Sequence, residues 1–139
     1  MIKSILLGSL TLSLNADFIR DNTKLVVNDT KTGLMWQDDA VGSTMTWANA
    51  ITTCENLTLG GYSDWRLPNI RELKSIVDKT RANPAISPNF TAIASNYYWS
   101  STTNASVPSF AWFVYFGNGD VVWDDKTYSN YVRCVRAGQ

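Results

Sequence analysis

Near the end of the chain, Trp123-Asp124-Asp125-Lys126, with Tyr128 just beyond, gathers an indole, two carboxylates, an ammonium and a phenol. That mixture suits sugar or protein contact, in which a flat aromatic face supplies apolar area and a few polar groups fix orientation. Asn104 lies in the Thr-, Asn- and Ser-rich stretch 102–109 and adds an amide that both donates and accepts. Asn104, Trp123, Asp124, Asp125, Lys126 and Tyr128 are therefore the candidate ligand-binding residues. The plainer reading of the same residues is a solvated loop and hairpin end. Catalytic chemistry is harder to find. The chain has no histidine, so Ser-His-Asp and Cys-His arrangements are impossible. No Gly-rich phosphate loop follows a strand. No catalytic residue is assigned, and a non-enzymatic protein is expected.

Metals are constrained in the same way. Two cysteines and no histidine cannot complete a four-ligand zinc shell. Asp120, Asp124 and Asp125 offer oxygens, but Ca²⁺ takes roughly six to eight of them. Calcium is admitted and not required, and no other cofactor is expected. Arg66, Arg133 and Arg136 are the notable bases. A guanidinium matches sulfate or carboxylate with a bidentate fork, so they suit an anionic ligand. The competing reading pairs them internally with Asp64 or Glu72. Among the tryptophans, Trp65, Trp99 and Trp112 read as core, whereas Trp123, beside two carboxylates, reads as surface. Asn28, Asn56, Asn89 and Asn104 each begin an Asn-x-Ser/Thr pattern, to which no role is assigned.

Local signals say what must position these residues. Gly60-Gly61 marks a turn. Trp65 and Leu67 alternate with Arg66 as on a half-buried extended segment. Pro68 ends that segment, and Asn69 with Glu72 three residues later is a capping box at a helix start. This second helix is expected over Ile70 to Val77, with Ile70, Leu73, Ile76 and Val77 inward. A first helix is expected from Trp47 to Leu57, because Trp47, Ala50, Ile51, Cys54 and Leu57 recur at three- and four-residue spacing. Thr44 or Thr46 is its N-cap. Residues 25–27 and 34–37 read as a hairpin around a polar turn, and residues 38–44 as a loop. Residues 97–101, 110–116, 121–123 and 131–135 read as strands, with a hairpin turn at Gly117-Asn118-Gly119-Asp120. The order gives an α+β domain with a mainly antiparallel sheet and two helices.

At 139 residues, with 45% apolar and 17% charged residues, the chain is long enough for one packed domain and too apolar for disorder. A formal net charge of zero argues against a nucleic-acid partner, which calls for a basic face. Lys3 followed by an apolar run from Ile5 to Leu14 reads as a signal peptide over residues 1–16. The run is too short to span a bilayer, so no membrane span is expected after its removal. The other reading of this run is a first buried element of a cytosolic domain. Residues 17–23 read as a linker and residues 24–139 as the domain. Export to the periplasm or cell surface follows from the signal. In an exported chain the two cysteines suggest a disulfide, with two reduced buried thiols as the alternative.

Asp64-Trp65-Arg66-Leu67-Pro68 followed by Glu72-Leu73 resembles the signature of the DUF1566 family, also called the Lcl C-terminal domain. Thr32-Gly33-Leu34-Met35-Trp36, Trp47 with Ala50, Tyr98-Trp99-Ser100-Ser101 and Tyr131-Val132-Arg133-Cys134-Val135-Arg136 agree in order. The resemblance covers residues 24 to 136. It implies a C-type-lectin-like fold, distantly similar to the formylglycine-generating enzyme and sulfatase-modifying-factor domains. It also implies that Cys54, on the first helix, bridges to Cys134 on the last strand. The active-site cysteine motif of the formylglycine-generating group is not reproduced here, so that activity is not carried over. Trp123-Asp124-Asp125 loosely resembles the calcium-site Trp-Asn-Asp of sugar-binding C-type lectins. Val107-Pro108-Ser109 lacks the oxygen-bearing side chains that flank the proline of their calcium loop. The family's context implies an adhesin-type module that recognises a sulfated polysaccharide or another surface ligand. A structural or protein-partner module of the cell envelope is the alternative, and a small enzyme of the formylglycine-generating type is a weaker one. Neither excludes a homo-oligomer.

Overall fold

The computed structural model describes residues 17–138. The expected signal peptide, residues 1–16, lies outside them. The chain runs β1 (Phe18–Asp21), β2 (Val26–Asp29), β3 (Met35–Gln37), α1 (Trp47–Glu55), α2 (Ile70–Ser75), β4 (Tyr97–Thr103), β5 (Phe110–Tyr115), β6 (Asp120–Asp125) and β7 (Val135–Arg136). This is a small α+β fold with two helices and two antiparallel sheets. One sheet has the order β1-β2-β3-β7 and the other β4-β5-β6. An isolated parallel bridge pairs Tyr98 of β4 with Tyr131, in the segment that leads into β7.

The first strand corrects the reading of residues 17–23 as a linker. Phe18 and Arg20 turn to one side of β1. Phe18 packs edge-on against Phe90 with ring centroids 5.2 Å apart, and Arg20 reaches Asp38 at 2.6 Å. Ile19 points the other way and is 52% exposed. One aromatic and one ion pair thus recruit a segment whose composition is otherwise polar. The last strand is also shorter than the apolar alternation of residues 131–135 implies. Tyr131 instead bonds to β4, its N–H donating to the Tyr97 carbonyl at 2.8 Å and its carbonyl accepting from Trp99 at 3.0 Å.

Both helices start where the local chemistry places them. Asn69 accepts from the Glu72 N–H at 2.8 Å, and Glu72 accepts from the Asn69 N–H at 3.0 Å. Both halves of the capping box are therefore made. Helix α1 begins after Thr46, whose side chain makes no capping bond. Both helices end about two residues before the apolar spacing does.

Two packed clusters form the core. One surrounds the Cys54–Cys134 disulfide, whose Cα atoms lie 5.4 Å apart, and contains Trp65, Leu67, Trp99 and Phe113. The other gathers Trp36, Leu73, Ile76, Tyr98, Val114 and Phe116. The β4-β5-β6 sheet separates the two, because alternate residues of a strand face opposite sides. The bridge from first helix to terminal segment is the pairing that the family resemblance implies. Among the described residues no helix is long and apolar enough to cross a membrane.

Candidate functional site

Cross-strand register decides which candidate residues share a surface. In the β5–β6 pair Trp112 faces Trp123, Ala111 faces Asp124, and Phe110 faces Asp125. Trp112, Val121 and Trp123 therefore lie on one face, with Asp125. Phe113, Val122 and Asp124 lie on the other. Trp123 and Asp124 are sequence neighbours on opposite sides of the sheet, so one small ligand cannot lie flat against both.

On the Asp124 side, Lys126 donates to Thr103 Oγ1 at 2.9 Å and its ammonium sits 4.0 Å from the centroid of the Trp47 ring. Asp124 accepts from the Asp125 N–H at 2.9 Å. Asp125 is taken up by its own turn. Its carboxylate accepts from the Thr127 N–H and hydroxyl, and the amide bond to Thr127 is the main cause that holds its pKa below the usual carboxylate range. Asn104 is mostly buried and closes the 104–110 turn through the Ser106 N–H at 3.0 Å. Tyr128 is 60% exposed. Asp120 starts β6, at the far end of the strand from Asp124 and Asp125. Among the described residues no group of three acidic or sulfur side chains converges as a metal shell would require.

The Trp123 side carries more. Trp112 and Trp123 meet edge to face with centroids 5.2 Å apart, and Trp123 is 47% exposed. Beside Trp112 runs a cleft of about 300 Å³ lined by Ile70, Arg71, Lys74, Trp112 and Val121. Helix α2 forms its other wall. The Ile70 N–H donates to Thr102 Oγ1 at 2.9 Å and the Ser101 N–H to the Pro68 carbonyl at 2.8 Å, which fix the helix start to β4. Ile70 and Leu73 turn toward the core. Arg71 and Lys74, three residues apart, share an exposed side of the helix.

Those two cations differ from the other arginines of the described residues, each of which is paired with an acid. Arg66 makes a bidentate pair with Glu72 at 2.7 and 2.8 Å. Arg136 pairs with Asp64 at 2.6 and 3.0 Å. Arg20 and Arg133 share Asp38, and Arg81 pairs with Asp78. Among the described residues Arg71 and Lys74 make no ion pair. The candidate arginines Arg66, Arg133 and Arg136 are thus internal braces. Arg133 is 2% exposed and donates to the carbonyls of Gln37 and Ala92, so no external anion reaches it. Arg71 and Lys74 escaped the sequence reading. Their polar spacing opposite Ile70 and Leu73 was visible, but charges on a helix exterior usually mark only a solvated face.

Residues 25–136 match the family model of the Lcl C-terminal domain. The chain belongs to that family. No curated protein matches it closely enough to lend a function. The Lcl C-terminal family signature is structural in this chain. Trp65 is 2% exposed and its indole N–H donates to the Leu59 and Tyr62 carbonyls. Asp64, Arg66 and Glu72 are consumed in the ion pairs above.

Proposed function

We propose that this Lcl C-terminal domain is an exported, non-enzymatic binding module that takes an anionic polysaccharide in the cleft between α2 and the β5–β6 ledge. The observation that carries the reading is the placement of two unpaired cations, Arg71 and Lys74, across an apolar cleft from the Trp112–Trp123 pair. Sugar rings present apolar faces that an indole covers, and sulfate or carboxylate substituents match an arginine fork. Of the residues named from sequence, Trp123 belongs to this surface. Asp124, Lys126 and Asn104 lie off it.

A non-enzymatic role is supported by the lack of any histidine and of a free cysteine among the described residues. Export is supported by the disulfide, which persists in oxidising compartments. A C-type-lectin-like arrangement is supported by the covalent link from first helix to terminal segment and by the pairing of β3 with β7. The cleft is shallow, so affinity rests on many weak contacts along a polymer rather than on one enclosed sugar. A glycan array carrying sulfated, uronic-acid and neutral polysaccharides, run with and without EDTA, tests this. Binding confined to the anionic members and indifferent to EDTA is expected. Preference for neutral glycans, or loss of binding on chelation restored by Ca²⁺, would refute the charge-based reading.

A further inference from the structure

The backbone of β6 makes a second surface, beside the cleft that the Val121 side chain lines. Hydrogen-bonding direction alternates along a strand, and fixed points set its phase here. On β5, the Phe110 carbonyl accepts from Asn104 and the Phe116 N–H donates to the Asn96 carbonyl, both on the β4 side. Residues 111, 113 and 115 therefore face β6. On β6, residues 120, 122 and 124 turn inward to meet them, and the Lys126 N–H continues that phase by donating to the Ser109 carbonyl at 3.0 Å. Residues 121, 123 and 125 turn outward. Asp125 is closed off, its N–H bonded to Asp124 Oδ1 and its carbonyl to the Tyr128 N–H. The N–H and C=O groups of Val121 and Trp123 are left pointing away from the sheet. No strand lies beyond β6 in the sheet order.

An edge of this kind is a template for another extended chain. A second copy fits poorly. The antiparallel pairing that uses both open residues, Val121 against Trp123, sets Asp120 opposite Asp124 on both sides of the two-fold, and like charges directly opposite are destabilising. The same aspartates invite a different chain. Asp124 has no cationic partner among the described residues, and Asp120, which also accepts from Asn118 Nδ2 at 3.0 Å, has only Lys79 as a cationic one, at 3.8 Å and in the open. Between them on the same face is Val122, 37% exposed. We propose that β6 docks an extended protein segment in which two basic residues flank an apolar one at alternate positions. Its backbone pairs with Val121 and Trp123 while its side chains meet Asp124, Val122 and Asp120 in turn.

The probe is acetyl-Thr-Lys-Val-Val-Val-Lys-Thr-amide, with the Lys→Glu peptide as control. Backbone amide hydrogen exchange of the whole protein is followed by NMR. Without peptide, the Val121 and Trp123 amides should exchange quickly while those of Val122 and Asp124 are protected. Saturating basic peptide should slow Val121 and Trp123 by roughly tenfold or more, and the acidic peptide should not. Val121→Pro removes the outward N–H at a position an edge strand tolerates and should abolish peptide binding; because the Val121 side chain packs against the core, binding is read at a temperature where the variant's amide spectrum is that of the folded protein. Four results overturn the proposal: slow exchange of Val121 and Trp123 in the dilute free protein, no binding of the basic peptide, binding that leaves both amides unprotected, or protection that rises with protein concentration alone and so marks a second copy.

Discussion

Asp38 is the most densely bonded side chain in the structure. Its carboxylate accepts from Arg20 at 2.6 Å, from the Thr91 N–H at 2.9 Å, from the Thr91 hydroxyl and Ala92 N–H at 3.0 Å, and from Arg133 at 3.0 Å. Burial alone would raise its pKa. The Arg20 bond, the two amides and the Arg133 charge outweigh that and hold it below the ordinary carboxylate range. A depressed folded-state pKa contributes stability that is complete above the unfolded value of about 3.9 and is lost as pH falls through the folded value. Thermal midpoints should therefore hold from neutrality to about pH 4 as far as Asp38 is concerned, and fall below it. Asp38→Ala strands a buried guanidinium and should cost about 3–5 kcal/mol at neutral pH, read by denaturant unfolding. A loss under about 1 kcal/mol would mean that Arg133 finds another partner. Trp65→Ala removes a buried indole and should cost about 3–5 kcal/mol. An unchanged melting midpoint would make Trp65 a surface platform. Sequence could not single out Asp38, because its partners come from β1, the 91–92 loop and the terminal segment. Their convergence is a property of the fold.

Among the elements, helix α2 has the most consequence, because it is short and carries both the brace and the cleft wall. Its six residues are too few to form a stable helix alone, so the capping box and the burial of Leu73 sustain it. Asn69→Ala should cost about 0.5–2 kcal/mol in a thermal or denaturant melt. It should also weaken ligand binding, because Arg71 and Lys74 lose their fixed orientation. A stability loss with unchanged affinity would place the ligand away from this helix. The cap was legible because its signal is local: an amide, three residues, a carboxylate. The β5–β6 hairpin was legible from Gly117-Asn118-Gly119, where Gly119 adopts φ +90°. β1 was not legible, since what holds it is Phe90 and Asp38, far along the chain. The candidate ligand residues are divided for the same reason in another form. Trp123 and Asp124 are adjacent in sequence, but strand alternation sends them to opposite faces. Arg71 and Trp112 are far apart and share a cleft.

Across the whole molecule, the disulfide closes the longest constraint. Cys54 and Cys134 are separated by 80 positions, and cross-linking so long a loop removes about 4–5 kcal/mol of denatured-state entropy in the chain-entropy model. Intact mass with and without reduction should differ by two hydrogen atoms, and reduced protein should melt well below the oxidised form. Two freely alkylated thiols in protein taken from an oxidising compartment would contradict the bridge. The pairing was suggested by family resemblance and is met here by geometry. The proposed binding surface lies on α2, β5 and β6 rather than on a loop. The decisive measurement is a calorimetric titration with dextran sulfate and with neutral dextran, on the parent protein and on Arg71→Ala/Lys74→Ala. The account predicts that the parent binds only the sulfated polymer, that affinity falls with added salt, and that the double variant loses roughly tenfold or more in affinity with its melting midpoint unchanged. Equal affinity of parent and double variant for dextran sulfate, or equal binding of both polymers, would contradict it.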